Sequence, residues 1–265
     1  MDGDVLEFIA SKIADSEYRM IYRFQKNTLE RIPLLAKKRA RRCRVCGPRF
    51  TGFRKLQPYC WLALALHLIT SATVLGQDSK LLFDGKSFEG WEGNTKTVWR
   101  IEDGALTAGS LTSRQKDNDF LATTAEYQNF ELELEWKLQG TEGFINGGVQ
   151  FRTKRIPNHH EVSGYQADLG AGFDGALYDE SRRNKILAKP DEETLKKAIK
   201  PLGQWNHYRI RAQGNHIQLW LNGIKTVDYM ETETNIPQTG IIAVQIHGGA
   251  TAIAQYRKLS MKEFK

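Results

Sequence analysis

The sequence has 265 residues, 40% of them hydrophobic, with three cysteines and a formal net charge of +7, so it holds enough apolar material for a sizeable core. The charge is unevenly placed: residues 1–76 carry 14 Lys and Arg against 6 Asp and Glu (+8), so of the totals of 38 and 31 the rest of the chain keeps 24 and 25 (−1). A nearly neutral body argues against nucleic acid as its partner, and with Cys43, Cys46 and Cys60 all before residue 77 a disulfide framework there is excluded.

Residues 1–48 read as a leader. Apolar positions Val5, Phe8, Ile9 and Ile13 have helical spacing, and a basic run follows from Lys37 to Arg44. Cys43 and Cys46 form a lone CxxC, and the only further ligands nearby, Cys60 and His67, sit inside an apolar run, which does not make a zinc site. Residues 49–76 have the layout of a signal peptide: Arg49, Arg54 and Lys55, an apolar stretch too short for a comfortable span, and small residues before Gln77. A leader ahead of such a segment suggests a start assigned too early, and the expected location is secreted or periplasmic. The alternative is an uncleaved signal anchor, the chain's only expected membrane contact.

From residue 77 the signals are those of a single all-β domain. Asp84-Gly85, Asp103-Gly104, Gly214-Asn215 and Asn222-Gly223 each suit a tight hairpin, and alternating runs lie between them. In FELELEW, Phe130, Leu132, Leu134 and Trp136 face a core while Glu131, Glu133 and Glu135 face solvent. One short helix is expected from Asp191 to Ile199, behind Pro190 and acidic residues. Many short strands and one helix imply a jelly-roll sandwich of two antiparallel sheets.

Three strands carry polar residues on one face. In GGVQFR, Val149 and Phe151 separate from Gln150 and Arg152; in GYQADLG, Tyr165, Ala167 and Leu169 separate from Gln166 and Asp168. In IIAVQIHG, Ile242, Val244 and Ile246 are inward while Gln245 and His247 share the other side. If these strands share a sheet, the polar row converges on one face suited to a sugar, whose hydroxyls need paired donors and acceptors and whose C–H face stacks on aromatics such as Trp205, Tyr178, Trp91 or Trp220. Taken singly, each has a plainer account, such as an Arg152–Asp168 surface ion pair. Signatures of serine hydrolases, phosphate-binding loops, zinc proteases and dinucleotide folds are missing, as is an ExDxxE carboxylate set around Asp168. Oxygen ligands are plentiful enough for a divalent cation such as Ca²⁺, but no loop has a spacing that demands one.

Taken together, LFDGKSFEGW, NGGVQFR, GYQADLG, GALYDESRR, GQWNHYRI, LWLNG and IIAVQIHGG, spread from Lys80 to Phe264, make the domain resemble the 3-keto-disaccharide hydrolase family. The resemblance implies a concanavalin-like sandwich and a carbohydrate substrate. A ketone at C3 acidifies the hydrogen on C2, so a base can remove it and the glycosidic oxygen can leave C1 without paired carboxylates. On chemical grounds the expected base is His247 or Asp168, and the electrophile is Arg152 or a divalent ion held partly by Asp168. The binding groups are Gln150, Gln166, Tyr178, Asp179, Arg183, Trp205 and Gln245. A non-catalytic carbohydrate-binding module would use the same face, and a structural cell-surface domain would have no pocket.

Overall fold

The computed structural model describes residues 79–264; the leader and signal segment expected over residues 1–76 lie outside the described residues. Among the described residues no helix is long and apolar enough to cross a membrane. The strands are β1 (Ser79–Leu81), β2 (Trp91–Glu92), β3 (Trp99–Glu102), β4 (Ala105–Gly109), β5 (Asp119–Tyr127), β6 (Phe130–Gly143), β7 (Asn146–Arg155), β8 (Val162–Gly170), β9 (Leu177–Glu180) and β10 (Lys185–Ala188). Helix α1 (Glu192–Ala198) follows, then β11 (Asn206–Gln213), β12 (His216–Leu221), β13 (Ile224–Met230), β14 (Gly240–Ile246) and β15 (Ala250–Glu263).

These strands form two antiparallel sheets, the jelly-roll sandwich that the turn and strand spacing implies. The first sheet runs β13-β12-β11-β6-β15-β4-β3 with β1 beside β15, and the second runs β10-β9-β8-β7-β14-β5-β2. Alternation sets what lies between them. Phe130, Leu132, Leu134, Trp136 and Leu138 of β6 share one buried cluster with Val149, Phe151, Tyr165, Ala167, Leu169 and Val244 of the second sheet. Phe151 stacks on Tyr165 at 5.6 Å and meets Phe130 edge-on at 6.3 Å. On the solvent side Glu131, Glu133 and Glu135 face Arg209, His207 and Arg257, a ladder of surface pairs rather than a catalytic row.

Asp103-Gly104, Gly214-Asn215 and Asn222-Gly223 do join adjacent strands, and Asn222 and Gly223 both take the positive φ that such a turn needs. Asp84-Gly85 does not: β1 and β2 belong to different sheets, and Asp84 instead accepts hydrogen bonds from the Lys86 and Ser87 amides. Helix α1 begins where its chemistry starts it. Asp191 caps it by accepting from Thr194 N at 2.7 Å, acidic residues fill its first turn and lysines its last.

One irregularity positions the site. At Arg152 the backbone takes φ +48° and the register between β7 and β8 shifts between Phe151 and Lys154. This β-bulge bends the β7–β8 hairpin over the outer face of its own sheet. Val162, beyond the bend, packs with Phe120, Ala122 and Ala243 in a second apolar cluster on that face, and Arg155 reaches β5 and β2 to donate to Phe120 O at 3.0 Å and Glu92 O at 3.1 Å.

Candidate functional site

The outer face of the second sheet collects six of the side chains expected there. β7 is paired with β8 on one side and β14 on the other, with Gly148 opposite both Asp168 and Gln245, and Gln150 opposite Gln166, which in turn faces Tyr178. Alternation therefore puts Gln150, Gln166, Asp168, Tyr178 and Gln245 on one surface, with His247 two residues beyond Gln245. The glycine matters: a Cβ at Gly148 would stand 2.5 Å from Gln166 Cδ and 2.7 Å from Gln150 Nε2, so its absence lets the two amides lie across the strand and bond to each other.

The sequence alone implies an exposed row, whereas the bent hairpin covers it. Gln150, Gln166, Asp168 and Gln245 are all nearly inaccessible. Gln150 Oε1 and both Gln245 side-chain polar atoms are buried with no hydrogen-bond partner among the described residues. Buried amide atoms in that state cost about 1–3 kcal/mol each unless water or a ligand hydroxyl meets them.

Four of the expected residues lie elsewhere. The bulge breaks the alternation at Arg152 and turns its guanidinium to the end of the sandwich. There Nε and Nη2 donate to Gln128 O at 2.8 and 2.6 Å, and Nη1 donates to Gly214 O at 2.7 Å. Burial pushes its pKa down to about 10, still charged at neutral pH, and the group ties the β5–β6 turn to the β11–β12 turn. It does not meet Asp168, which corrects the surface ion pair expected of it, and its donors are taken up by backbone carbonyls away from the polar row, where the electrophile's role expected of it has no support. Asp179 pairs with Tyr165 across β8 and β9 and so faces inward. It accepts from Arg182 Nε at 2.8 Å and from Arg183 Nε, while Arg183 Nη2 donates to Glu231 Oε2 at 2.7 Å and Nη1 to Glu233 Oε1 at 2.9 Å. Asp179 and Arg183 thus clamp the β9–β10 hairpin to the segment after β13, away from the polar row. Trp205 lies on the outer face of the first sheet, under Arg257 at 3.9 Å and Lys137 at 4.7 Å. Trp220 also belongs to that sheet, beneath Arg209 at 3.8 Å. Trp91 and Trp99 are core residues.

The structure adds two functional candidates. Glu180, two residues from Tyr178, shares its face, and Glu161 descends from the hairpin. Glu161 Oε1 accepts from Asn118 Nδ2 at 2.8 Å, and Oε2 is buried without a partner among the described residues. Asn118 Oδ1 also accepts from Gly248 N at 2.8 Å, which fixes the chain beside His247.

The electrostatics divide the groups into a base and acids. His247 Nδ1 lies 2.6 Å from Gly248 O; a carbonyl can only accept, so Nδ1 carries the proton and Nε2 keeps its lone pair. Burial holds the imidazole pKa below its ordinary 6.5, against the opposing pull of the Gly248 carbonyl and Glu161. Phe144 packs edge-on against the ring at 4.8 Å. Burial pushes Asp168 up to about 8, although Asn146 Nδ2 and Leu169 N donate to its Oδ1 at 2.9 and 3.0 Å. Burial, with Glu161 nearby, raises Glu180 to about 7. Burial also lifts Tyr178 to about 12, so it remains a phenol. At neutral pH the face therefore offers one neutral imidazole and a largely protonated carboxyl, both flanking Asn146, whose carbonyl accepts from His247 N.

Stability should follow the same groups. A carboxyl whose folded pKa is raised binds its proton more tightly folded than unfolded. Its contribution is fully present below about pH 4 and is lost as pH rises through about 7 for Glu180 and about 8 for Asp168. Glu231, which burial would raise but Arg183 and Tyr165 pull down to about 2, acts only at lower pH. Urea unfolding at pH 5, 7 and 9 is expected to show falling stability, and Asp168→Asn should flatten much of the slope. Equal stability at pH 5 and 9 contradicts these assignments.

Among the described residues no group of three or more His, Asp, Glu or Cys is arranged to hold a metal ion. Asp168 has amides rather than further carboxylates bonded to it, and no chemical step is derived through a cation.

Residues 78–262 match the 3-keto-alpha-glucoside-1,2-lyase-like domain. A 3-keto-disaccharide hydrolase of Bacteroides thetaiotaomicron is 29% identical over 152 residues, covering 49% of this chain and 50% of that protein, so the alignment spans about half of each. A candidate glycosyl hydrolase from Parabacteroides distasonis superimposes with TM-score 0.53 at 20% identity, over 71% of this chain and 94% of that one. The Bacillus subtilis carbohydrate-binding module CBM66 gives TM-score 0.51 at 14% identity, over 66% and 96%. Those two likenesses concern the fold, whereas the domain match extends over nearly all the described residues, and the chain belongs to the 3-keto-alpha-glucoside-1,2-lyase-like domain family.

Proposed function

We propose that this domain cleaves the glycosidic bond of 3-keto-glycosides by removing the C2 proton and expelling the C1 oxygen. The observation that carries the reading is the pairing, on one covered face, of a neutral His247 with a free Nε2 and an Asp168 carboxyl that keeps its proton at neutral pH. Two strand spacings and two residues separate their backbones, about 12 Å between Cα atoms.

In this reading Nε2 of His247 takes the C2 hydrogen as a proton, and the electron pair left behind forms an enolate toward C3. Asp168 donates a hydrogen bond to the C3 oxygen as its charge grows. Collapse of the enolate forms the C1–C2 double bond, restores the ketone and breaks the bond from C1 to the leaving oxygen, which receives the proton held by His247. Water then adds its oxygen to C1 while a proton returns to C2, so the net change is hydrolysis. Gln150, Gln166, Gln245 and Tyr178 meet the sugar hydroxyls, which would satisfy the unpartnered amide atoms. Paired-carboxylate hydrolysis is less well supported, because at neutral pH Asp168 lacks the charge a nucleophile needs.

Purified protein is expected to release the leaving group from a 3-keto-glucoside and not from the parent glucoside. Binding of either sugar without product would instead favour the carbohydrate-binding module. Export directed by residues 49–76 is proposed alongside; native protein beginning at Gln77 would support it, and native protein beginning at Met1 would contradict cleavage.

A further inference from the structure

The ring of His247 has few contacts of its own: Nδ1 donates to Gly248 O at 2.6 Å, and Phe144 packs against one side. What holds Gly248 therefore holds the imidazole. We propose that Asn118 and Glu161 are positioning residues for His247, Asn118 fixing its tautomer through Gly248 and Glu161 stabilising the imidazolium that proton abstraction creates; the inference rests on the reaction proposed above.

Both ends of one carboxamide are used. Asn118, in the connection from β4 to β5, accepts from Gly248 N at 2.8 Å through Oδ1 and donates to Glu161 Oε1 at 2.8 Å through Nδ2. Its orientation is dictated, since only the oxygen can accept and only the nitrogen can donate. The same connection is stitched to the chain after His247, where Gly249 N donates to Gln115 O at 2.8 Å and Gln115 N donates to Ala250 O at 2.9 Å. A Cβ at Gly248 would stand 2.8 Å from both Asp117 C and Lys116 O, so the glycine permits this close approach. Gly248 is thus held at its own N–H by a side chain and at the following N–H by backbone. Only the side chain continues to the hairpin.

Glu161 supplies the charge. Its Oε1 meets Asn118 and lies 3.2 Å from Nε2 of the exposed His160, while Oε2 is buried with no partner among the described residues. A carboxylate oxygen left in that state favours positive charge nearby. It pulls the His247 pKa upward against burial, and its effect is largest once Nε2 has taken the C2 proton and the ring is charged. Other charges around the ring offer less. Arg114, Lys116 and Asp117 on the β4–β5 connection are exposed, with Lys116 and Asp117 only 3.8 Å apart, and Asp168 is largely protonated at neutral pH. Because Glu161 arrives on the hairpin, the base is fully set only while the roof is in place.

Imidazole ¹⁵N spectra and turnover test this together, with the His247 resonances assigned by their loss in His247→Ala. Above its pKa, His247 of the unaltered protein should carry its proton on Nδ1. Asn118→Ala is expected to admit the Nε2–H tautomer and to lower kcat on a 3-keto-glucoside about tenfold with KM nearly unchanged. Asn118→Asp, which keeps an acceptor for Gly248 N, should restore the Nδ1–H tautomer. Glu161→Gln should keep that tautomer, lower the His247 pKa, move the acid limb of the pH profile to lower pH and reduce its plateau about tenfold. An unchanged tautomer in Asn118→Ala overturns the role of Asn118 and an unchanged pKa in Glu161→Gln overturns that of Glu161, whatever happens to kcat, since loss of rate alone marks a structural support. Turnover of no 3-keto-glycoside by the unaltered protein overturns the reaction instead, and the spectra then still decide whether these two residues set the imidazole.

Discussion

His247→Ala is expected to lower kcat on a 3-keto-glucoside by about 10²–10⁴-fold, the usual worth of a positioned general base, with little change in fold because the ring packs mainly on Phe144 at the rim. Asp168→Asn should cost about 10²–10³-fold, since the amide is nearly isosteric but a poorer partner for a developing oxyanion. The pH profile separates their roles. The base must be unprotonated, so activity rises with pH on an acid limb below 6.5; the acid must be protonated, so activity falls as pH passes about 8. Asp168→Asn should remove the alkaline limb and keep the acid one. Undiminished turnover in both His247→Ala and Asp168→Ala would remove both assignments.

Arg152→Ala is expected to act on stability instead. It strips donors from Gln128 O and Gly214 O at a fully covered position. The loss is on the order of 3–5 kcal/mol, or a fall in Tm of roughly 6–20 °C for a domain of this size. Thermal unfolding measures it. The folded fraction that remains should retain a similar kcat, because the guanidinium does not reach the site. An unchanged Tm with abolished turnover would instead make Arg152 the electrophile that its place in the sequence suggests.

That contrast shows what alternation can and cannot convey. Side-chain parity places Gln150, Gln166, Asp168, Gln245 and His247 on one face because β7, β8 and β14 are regular through those residues and pair in one sheet. Parity fails at Arg152 because a single bulge inserts a residue, and nothing in the run VQFRTK marks the positive φ there. The same rule applied to LYDE would have paired Tyr178 with Glu180 and turned Asp179 inward, so that signal was present in the sequence. Glu161 is a different case. It follows the His159-His160 pair in what reads as a solvent-facing turn, and only the bend carries it over the sheet to Asn118 and His247. Trp205 looks like a stacking platform by residue type, but the loop before β11 delivers it to the opposite sheet. The core, the helix and three of the four hairpin turns follow from local chemistry, whereas the roof of the site follows from a tertiary contact of Val162 with Phe120, Ala122 and Ala243.

The reaction turns on the bond between C2 and its hydrogen. Hydrolysis of a 3-keto-glucoside in D₂O, quenched early and corrected for uncatalysed exchange, tests it most directly. Removal of that hydrogen and hydration of the C1–C2 double bond predict one solvent deuterium at C2 of the released 3-keto sugar, with a primary isotope effect when the substrate carries deuterium at C2. Product that keeps its original C2 hydrogen, released with no such isotope effect, would contradict the account.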